Sequence, residues 1–245
     1  FSNSRSNSFG RSSSFNADFR LEWKPDTMTN IIFSPSVSYS SSDSWSQSAS
    51  ATFRENPFDY VRLYEKGSYG DVFDALDSVA INSNRSESMS NSENFSLRGN
   101  LQVNRRLAKP GRNITFRGNF SYSDSESKNY SVNSVKYYQA SAGSSGYDRK
   151  RYSASPSDNW NYDLRVSYTE PLMKNLFLQF NYTFNNSYSN SDRSTYVFDE
   201  LTDYLMTLNH NYLLPNLPEN YERYLNDSLS RYSEYRTQRH DVQLM

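Results

Sequence analysis

The sequence predicts an all-β protein: an antiparallel up-and-down transmembrane β-barrel, present as a partial barrel of about seven long strands with short periplasmic turns and long extracellular loops. Three observations predict it. Apolar residues alternate strictly with polar ones over stripes of about nine residues, the length of one tilted strand crossing a hydrocarbon core. Connections between stripes are alternately short and long. Nothing in the chain looks able to cover an oily sheet face, so that face is expected to meet lipid and its opposite to meet water.

The same hairpin pattern occurs three times. In the first, within about residues 12–42, Phe15, Ala17, Phe19, Leu21 and Trp23 alternate with Asn16, Asp18, Arg20 and Glu22. Lys24-Pro25-Asp26-Thr27 supplies a tight reversal, and Ile31, Phe33, Val37 and Tyr39 return with serines opposite. In the second, within 94–124, Phe95, Leu97, Leu101 and Val103 lead to Lys109-Pro110-Gly111-Arg112, and Ile114, Phe116, Phe120 and Tyr122 return. The third, within 158–190, runs Trp160, Tyr162, Leu164, Val166 and Tyr168, turns at Glu170-Pro171, and returns through Leu176, Leu178, Phe180, Tyr182 and Phe184. Long loops are expected at about 54–85, 129–155 and 196–228, on the side opposite the prolines. Serine-rich stretches at 38–50, 86–92 and 121–127 read as strands continuing above the bilayer, because Tyr39, Trp45, Tyr122 and Tyr130 interrupt them. A helix or turn up to about Asp227 and a seventh strand from about Arg231 complete the pattern.

Composition narrows the classes. Hydrophobic residues make up only 35% of the chain, yet aromatics reach 16%, with 21 Tyr beside 45 Ser. Disordered chains combine low hydrophobicity with few aromatics, so disorder does not fit. With 26 basic and 27 acidic residues there is no bulk field to recruit nucleic acid, and no nucleic-acid partner is expected. The chain has no cysteine, which removes disulfides and thiolate chemistry. No apolar run reaches the roughly 20 residues of a membrane-spanning helix. The first residues lack the apolar core of a signal peptide, so the numbered chain is expected to begin inside a longer precursor. Seven strands do not close a single-chain bacterial barrel, which uses an even number.

The order of Leu21-Glu22-Trp23-Lys24-Pro25-Asp26, Thr29-Asn30-Ile31, Gly111-Arg112-Asn113, Gly118-Asn119-Phe120-Ser121-Tyr122-Ser123, Ser167-Tyr168-Thr169-Glu170-Pro171-Leu172 and Lys174-Asn175 resembles the Bacteroidetes outer-membrane β-barrel family related to TonB-dependent transporters. The resemblance implies a large barrel with a plugged lumen, a periplasmic contact to the TonB system through a plug region that these residues do not contain, and solute uptake as the role of the parent protein.

No catalytic residues, cofactor or metal site are expected: the only histidines are His210 and His240, and no phosphate loop or nucleophile elbow is present. His210 reads as a solvated loop residue. Asp71, Asp74 and Asp77 lack the glycine and terminal Glu of a calcium loop. Arg20, Arg98, Arg117 and Arg165 share the polar parity with Asp18, Glu22 and Asp163. A mid-bilayer Arg on a lipid face costs roughly 2 to 4 kcal/mol, so their parity assigns that face to the lumen. There they hold a plug or guide a polar solute, or neutralise one another across strands. Tyr60, Tyr64, Tyr69, Tyr137, Tyr138, Tyr147 and Tyr152 are candidate loop contacts for a ligand or an envelope protein. Outer-membrane lipid is the other expected partner. Two competing readings are a structural or partner-binding barrel without transport, and a soluble β-solenoid or adhesin.

Overall fold

The structure is a computed structural model that describes residues 1–59, 76, 79–139 and 146–245, without the Phe58 side chain. Its strands are β1 (Ser2–Asp18), β2 (Leu21–Trp23), β3 (Thr29–Phe53), β4 (Ala80–Arg106), β5 (Asn113–Tyr137), β6 (Gly146–Met173), β7 (Leu176–Val197) and β8 (Arg231–Leu244). All lie in one antiparallel sheet of order β1-β3-β4-β5-β6-β7-β8, with β2 also on β3. Asp18 pairs with Ser36 and Leu21 with Phe33, so β1 and β2 are one strand in a single register, interrupted at Phe19 and Arg20. The chain therefore occupies seven strand positions, each next to its neighbour in sequence, and the sheet is open, as in a partial barrel.

The strands outrun the apolar stripes that announce them. The second expected loop, 129–155, is the clearest correction: β5 continues to Tyr137 and β6 resumes at Gly146. Tyr130 pairs with Tyr152 and Lys128 with Ala154, continuing the alternation with serines and arginines between. The first connection likewise ends at Ala80 rather than Arg85, and the third spans 198–230. Serine-rich segments form strands throughout, because the neighbouring strand pairs their backbone groups, on both sides for β3 to β7, and a small hydroxyl is accommodated on a wet face.

At the short-turn end, local chemistry fixes each reversal. The Asp26 carboxylate accepts hydrogen bonds from the Met28 amide at 2.7 Å and the Thr29 hydroxyl at 3.1 Å, closing the first turn. In the second turn Gly111 has φ 84°, and a β-carbon there would press on Pro171 and Phe177 at 3.4–3.5 Å. That turn is tied to the third by Glu170, which lies past the apolar stripe of β6. Its carboxylate receives Arg112 at 2.6 and 2.8 Å, Lys109 at 2.8 Å and the Tyr168 hydroxyl at 2.6 Å. Arg112 first, then Lys109 and Tyr168, hold its pKa well below the usual carboxylate range.

Because the folded pKa is depressed, the stabilisation is fully present above the ordinary value near 4.5 and is lost progressively as pH falls from there through the lower folded value. Glu170→Gln is expected to lower the thermal midpoint in detergent at pH 7 and to flatten its decline below pH 4.5. Thermal scans of both proteins from pH 7 to pH 3 measure this, and parallel curves would remove the clamp.

Candidate functional site: the two faces of the sheet

Residues paired across antiparallel strands point to the same side, so the register sorts every side chain onto one of two faces. One is polar over most of its length, with Ile32, Val135, Phe177 and Val197 as apolar exceptions. Its successive rows include Asn30–Asn104, with Thr115–Ser167 continuing on β5 and β6, and Ser36–Arg98–Ser121–Asn161–Ser187. Further up come Ser40–Asn94–Ser125–Ser157–Ser191 and Ser46–Ser88–Ser131–Arg151.

Hydroxyls meet across strands at Ser44–Ser90 (2.7 Å), Ser46–Ser88 (2.8 Å) and Ser92–Ser127 (3.1 Å). Amides continue the pattern: Asn100 donates to Asn119, which donates to Asp163 at 3.3 Å, and Asn185 donates to Asn161 at 3.3 Å. A groove of about 710 Å³ lies on this face across β3 to β7, with Ser36, Arg98, Asn119, Asn161, Asp163 and Ser187 in its lining. Its chemistry is that of a wetted wall rich in neutral hydrogen-bonding groups, with charges near its lower end.

The charged residues singled out in the sequence all fall here. Asp18 pairs with Ser36, Arg98 with Ser36 and Ser121, and Arg117 with Gln102 and Arg165. Asp163 pairs with Asn119 and Asn185. Arg20 sits in the break between β1 and β2, at the position the shared register sets opposite Ser34. A neutralising ladder is not what joins them. Among the described residues none of these four arginines makes an ion pair with Asp18 or Asp163, and Arg117 and Arg165 stand directly opposite each other.

The other face is layered. Its lower part is an apolar band: Ile31–Val103–Phe116–Val166–Tyr182–Val242 form one row and Leu21–Phe33–Leu101, with Leu164–Phe184 beyond Gly118, the next. These side chains are open to the surroundings, with Phe15 and Phe19 each 62% and Val242 65% exposed. Above the band come carboxylates, Glu93 opposite Glu126 and Asp124 opposite Asp158. Asp43 joins them, held by Arg11 and Asn91 at 2.7 Å each.

Higher still, the row Phe9–Trp45–Met89–Tyr130–Tyr152–Tyr196 forms an aromatic shelf. The connection 198–230 folds back over it, burying Phe198, Met206 and Leu208 against the shelf. Lys150 Nζ secures this strap by donating to the carbonyls of Leu201 (2.9 Å) and Tyr204 (2.5 Å). His210 belongs to the strap, with its ring 5.6 Å from Phe9 and 5.9 Å from Trp45, so it is laid against aromatics rather than free in solvent. Met206 and Leu208 face the shelf while Leu205 beside them is 80% exposed, and the sequence around them carries no period that announces this.

Of the tyrosines, Tyr137 and Tyr147 lie in strands on the polar face and Tyr152 in the shelf. Tyr138 packs beside the small cluster of Ala51, Phe53 and Ala80, its hydroxyl 3.0 Å from Ser83. Tyr60, Tyr64, Tyr69, Asp71, Asp74 and Asp77 lie outside the described residues. Among those described, no cluster of three metal-ligating side chains occurs.

Compared with known proteins, the chain matches no family model and no curated sequence is similar to it.

Phe198 is fully buried, so Phe198→Ala is expected to cost about 3–5 kcal/mol of strap docking. Hydrogen exchange across 198–230 should then rise while β3–β5 remain protected; unchanged exchange would mean the shelf does not hold the strap.

Proposed function

We propose that this chain is a wall section of an outer-membrane β-barrel of TonB-dependent type, supplying barrel wall and extracellular loops for uptake of a solute across the outer membrane of a Gram-negative cell. The observation that carries the reading is the oblique course of the apolar band. On β3 the stripe is centred on Pro35, which pairs with Gly99. On β5 it is centred on Gly118, level with Phe33 through Leu101. On β7 it is centred on Phe180, level with Thr29 through Tyr168, Ile114 and Arg105.

The centre thus moves about 20 Å along the strands while crossing about 19 Å of sheet, at roughly 3.3 Å per residue and 4.8 Å per strand. That slope is a tilt of roughly 45°, in the range for strands of membrane barrels. It also accounts for His240 and Gln238 on β8, which face the apolar side yet lie above a band that has by then descended to Val242 and Leu244. A horizontal soluble core has no reason to run diagonally. A bilayer imposes it.

In this reading the polar face is the lumen, the proline turns are periplasmic, the strap is extracellular, and coupling to the TonB system belongs to a plug region of the parent protein. A second reading, a barrel whose loops bind another envelope protein without transport, is favoured by the strap alone. It presents Leu205 (80% exposed), Leu213 (68%) and Leu214 (50%) away from the shelf.

The absence of cysteine makes the assignment directly testable. Single cysteines at 119, 121 and 123 are expected to react with a water-soluble maleimide in proteoliposomes, and those at 116, 118 and 120 to be protected. Equal labelling at all six would remove the bilayer. For transport, Arg98→Gln with Arg117→Gln in the full-length protein is expected to change solute uptake several-fold, whereas uptake at the wild-type rate with normal surface expression would favour the partner-binding barrel.

A further inference from the structure

The lumen assignment leaves one part of the polar face unexplained: its upper end over β6 to β8. Arg149 and Arg151 stand there on β6, Arg193 on β7 and Arg231 on β8, with Arg193 and Arg231 directly opposed in the register. Lower on the same face the arginines are accompanied by Asp18, Glu22, Asp163 and Asp241. Here the polar-face positions of these three strands carry no carboxylate at all. From Asn161 upward β6 presents Asn159, Ser157, Ser155 and Ser153 before the arginines, and β7 presents Ser187, Ser189 and Ser191 before Arg193. Carboxylates at that height, Asp158, Asp192 and Glu234, all point to the other side, paired with or beside apolar-face residues.

Two features show that the cations are not serving the fold. Like charges directly across a strand pair are destabilising, and the Arg193–Arg231 pair has no ion partner among the described residues. Arg151 Nε is buried without any hydrogen-bond acceptor, a cost that a bound oxyanion would remove. Arg149 is held extended on this face by stacking over the Tyr147 ring at 4.4 Å.

We infer that Arg149, Arg151, Arg193 and Arg231 form a capture site for an extended polyanionic solute at the mouth of the lumen. A guanidinium presents a planar fork that matches carboxylate or sulfate oxygens in pairs. Arg151 and the Arg193–Arg231 pair are two rows apart, about 13 Å along the strands at 3.3 Å per residue. One small anion cannot span that. A chain with repeated oxyanions can, and the serine and asparagine rows below offer hydrogen bonds to its neutral groups. The inference rests on the lumen reading and names the solute class for it.

The test uses the full-length protein in proteoliposomes, with short dextran sulfate, an oligogalacturonate and uncharged dextran as fluorescent probes. The two polyanions separate sulfate from carboxylate recognition. Binding of at least one is expected, weakened by salt, with uncharged dextran at least tenfold weaker. Arg193→Gln with Arg231→Gln should lower the affinity by about tenfold or more, the loss expected for removing charge-assisted hydrogen bonds. Arg149→Gln with Arg151→Gln serves as an independent second variant. Arg236→Gln on the opposite face removes the same charge and should stay within about twofold of the parent protein. Wild-type affinity in both double variants, an equal loss in Arg236→Gln, or no polyanion binding by the parent protein would each overturn the site. Cysteine labelling on β5 in the same vesicles separates this outcome from failure of the lumen reading: alternation without polyanion binding sinks the capture site alone.

Discussion

Everything in this structure depends on one constraint, the shared parity of the antiparallel ladder from β1 to β8, whose register shifts only near strand ends, at Thr52/Phe53 and at Pro171/Met173. A slip of one residue between any two strands would carry arginines into the apolar band and phenylalanines onto the hydroxyl rows. The register is pinned at the short-turn end, where Asp26 closes one reversal and Glu170 joins two others. It is pinned again at the far end, where Tyr130 stacks on Tyr152 with ring centres 4.7 Å apart and Tyr152 on Tyr196 at 5.6 Å. Between them the apolar band adds ring contacts of its own, Trp160 with Tyr188 at 5.5 Å and Tyr162 with Phe184 at 5.7 Å, while the polar face has little side-chain mass to align it. Serine pairs contribute small, repeated hydrogen bonds, and identical neighbours do not by themselves distinguish one register from the next.

This division of labour explains the composition. A face that must stay wet and open cannot carry bulky side chains, and serine keeps the groove wide while satisfying itself across strands. The apolar face carries the area instead, and the aromatics concentrate in its band and on the shelf. The low overall hydrophobicity and the high aromatic content are thus two faces of one sheet. Neither describes a core in the ordinary sense. The buried apolar clusters among the described residues lie above the band, under the strap and beside Phe53.

Much of this was legible in the residues. The three hairpins, the reversals at Pro25 and Pro110 and the return of a strand at Arg231 follow from alternation and turn chemistry alone, whereas Pro171 lies in β6, paired with Phe177, and the third reversal comes at Lys174 and Asn175. The length of the strands did not, because above the apolar stripe both faces become polar and the period of two loses its contrast. That is why residues 129–137 and 146–155 read as loop: Tyr130, Val132, Tyr152 and Ala154 keep the parity, but aspartate, lysine and arginine stand among them. The strap was hidden for a different reason. Met206, Leu208 and His210 are ordered by what they lie against, and nothing local announces Trp45 or Phe9 as their partners. Glu170 was hidden likewise, since its ligands Lys109 and Arg112 come from a turn about sixty residues earlier.

The oblique band connects these layers into one argument. If the apolar stripes were the remnant of a soluble interface, their centres would follow the partner surface and the neighbouring rows would be buried. Instead Phe15, Trp23, Leu176 and Leu244 are about half exposed or more. The carboxylate rows follow immediately above, where Glu93 faces Glu126 and Asp124 faces Asp158, with Lys128 at 3.1 Å from Glu126 as an ion partner. Such like-charged neighbours are tolerable only in a strongly hydrated or ion-rich layer. In the proposed function, the change from the apolar band to such a layer within two residues of Tyr39 is the profile expected at a membrane surface, and the same height on the opposite face passes without any change from serine and asparagine. On that proposal one side of the sheet meets an interface there, and the other does not.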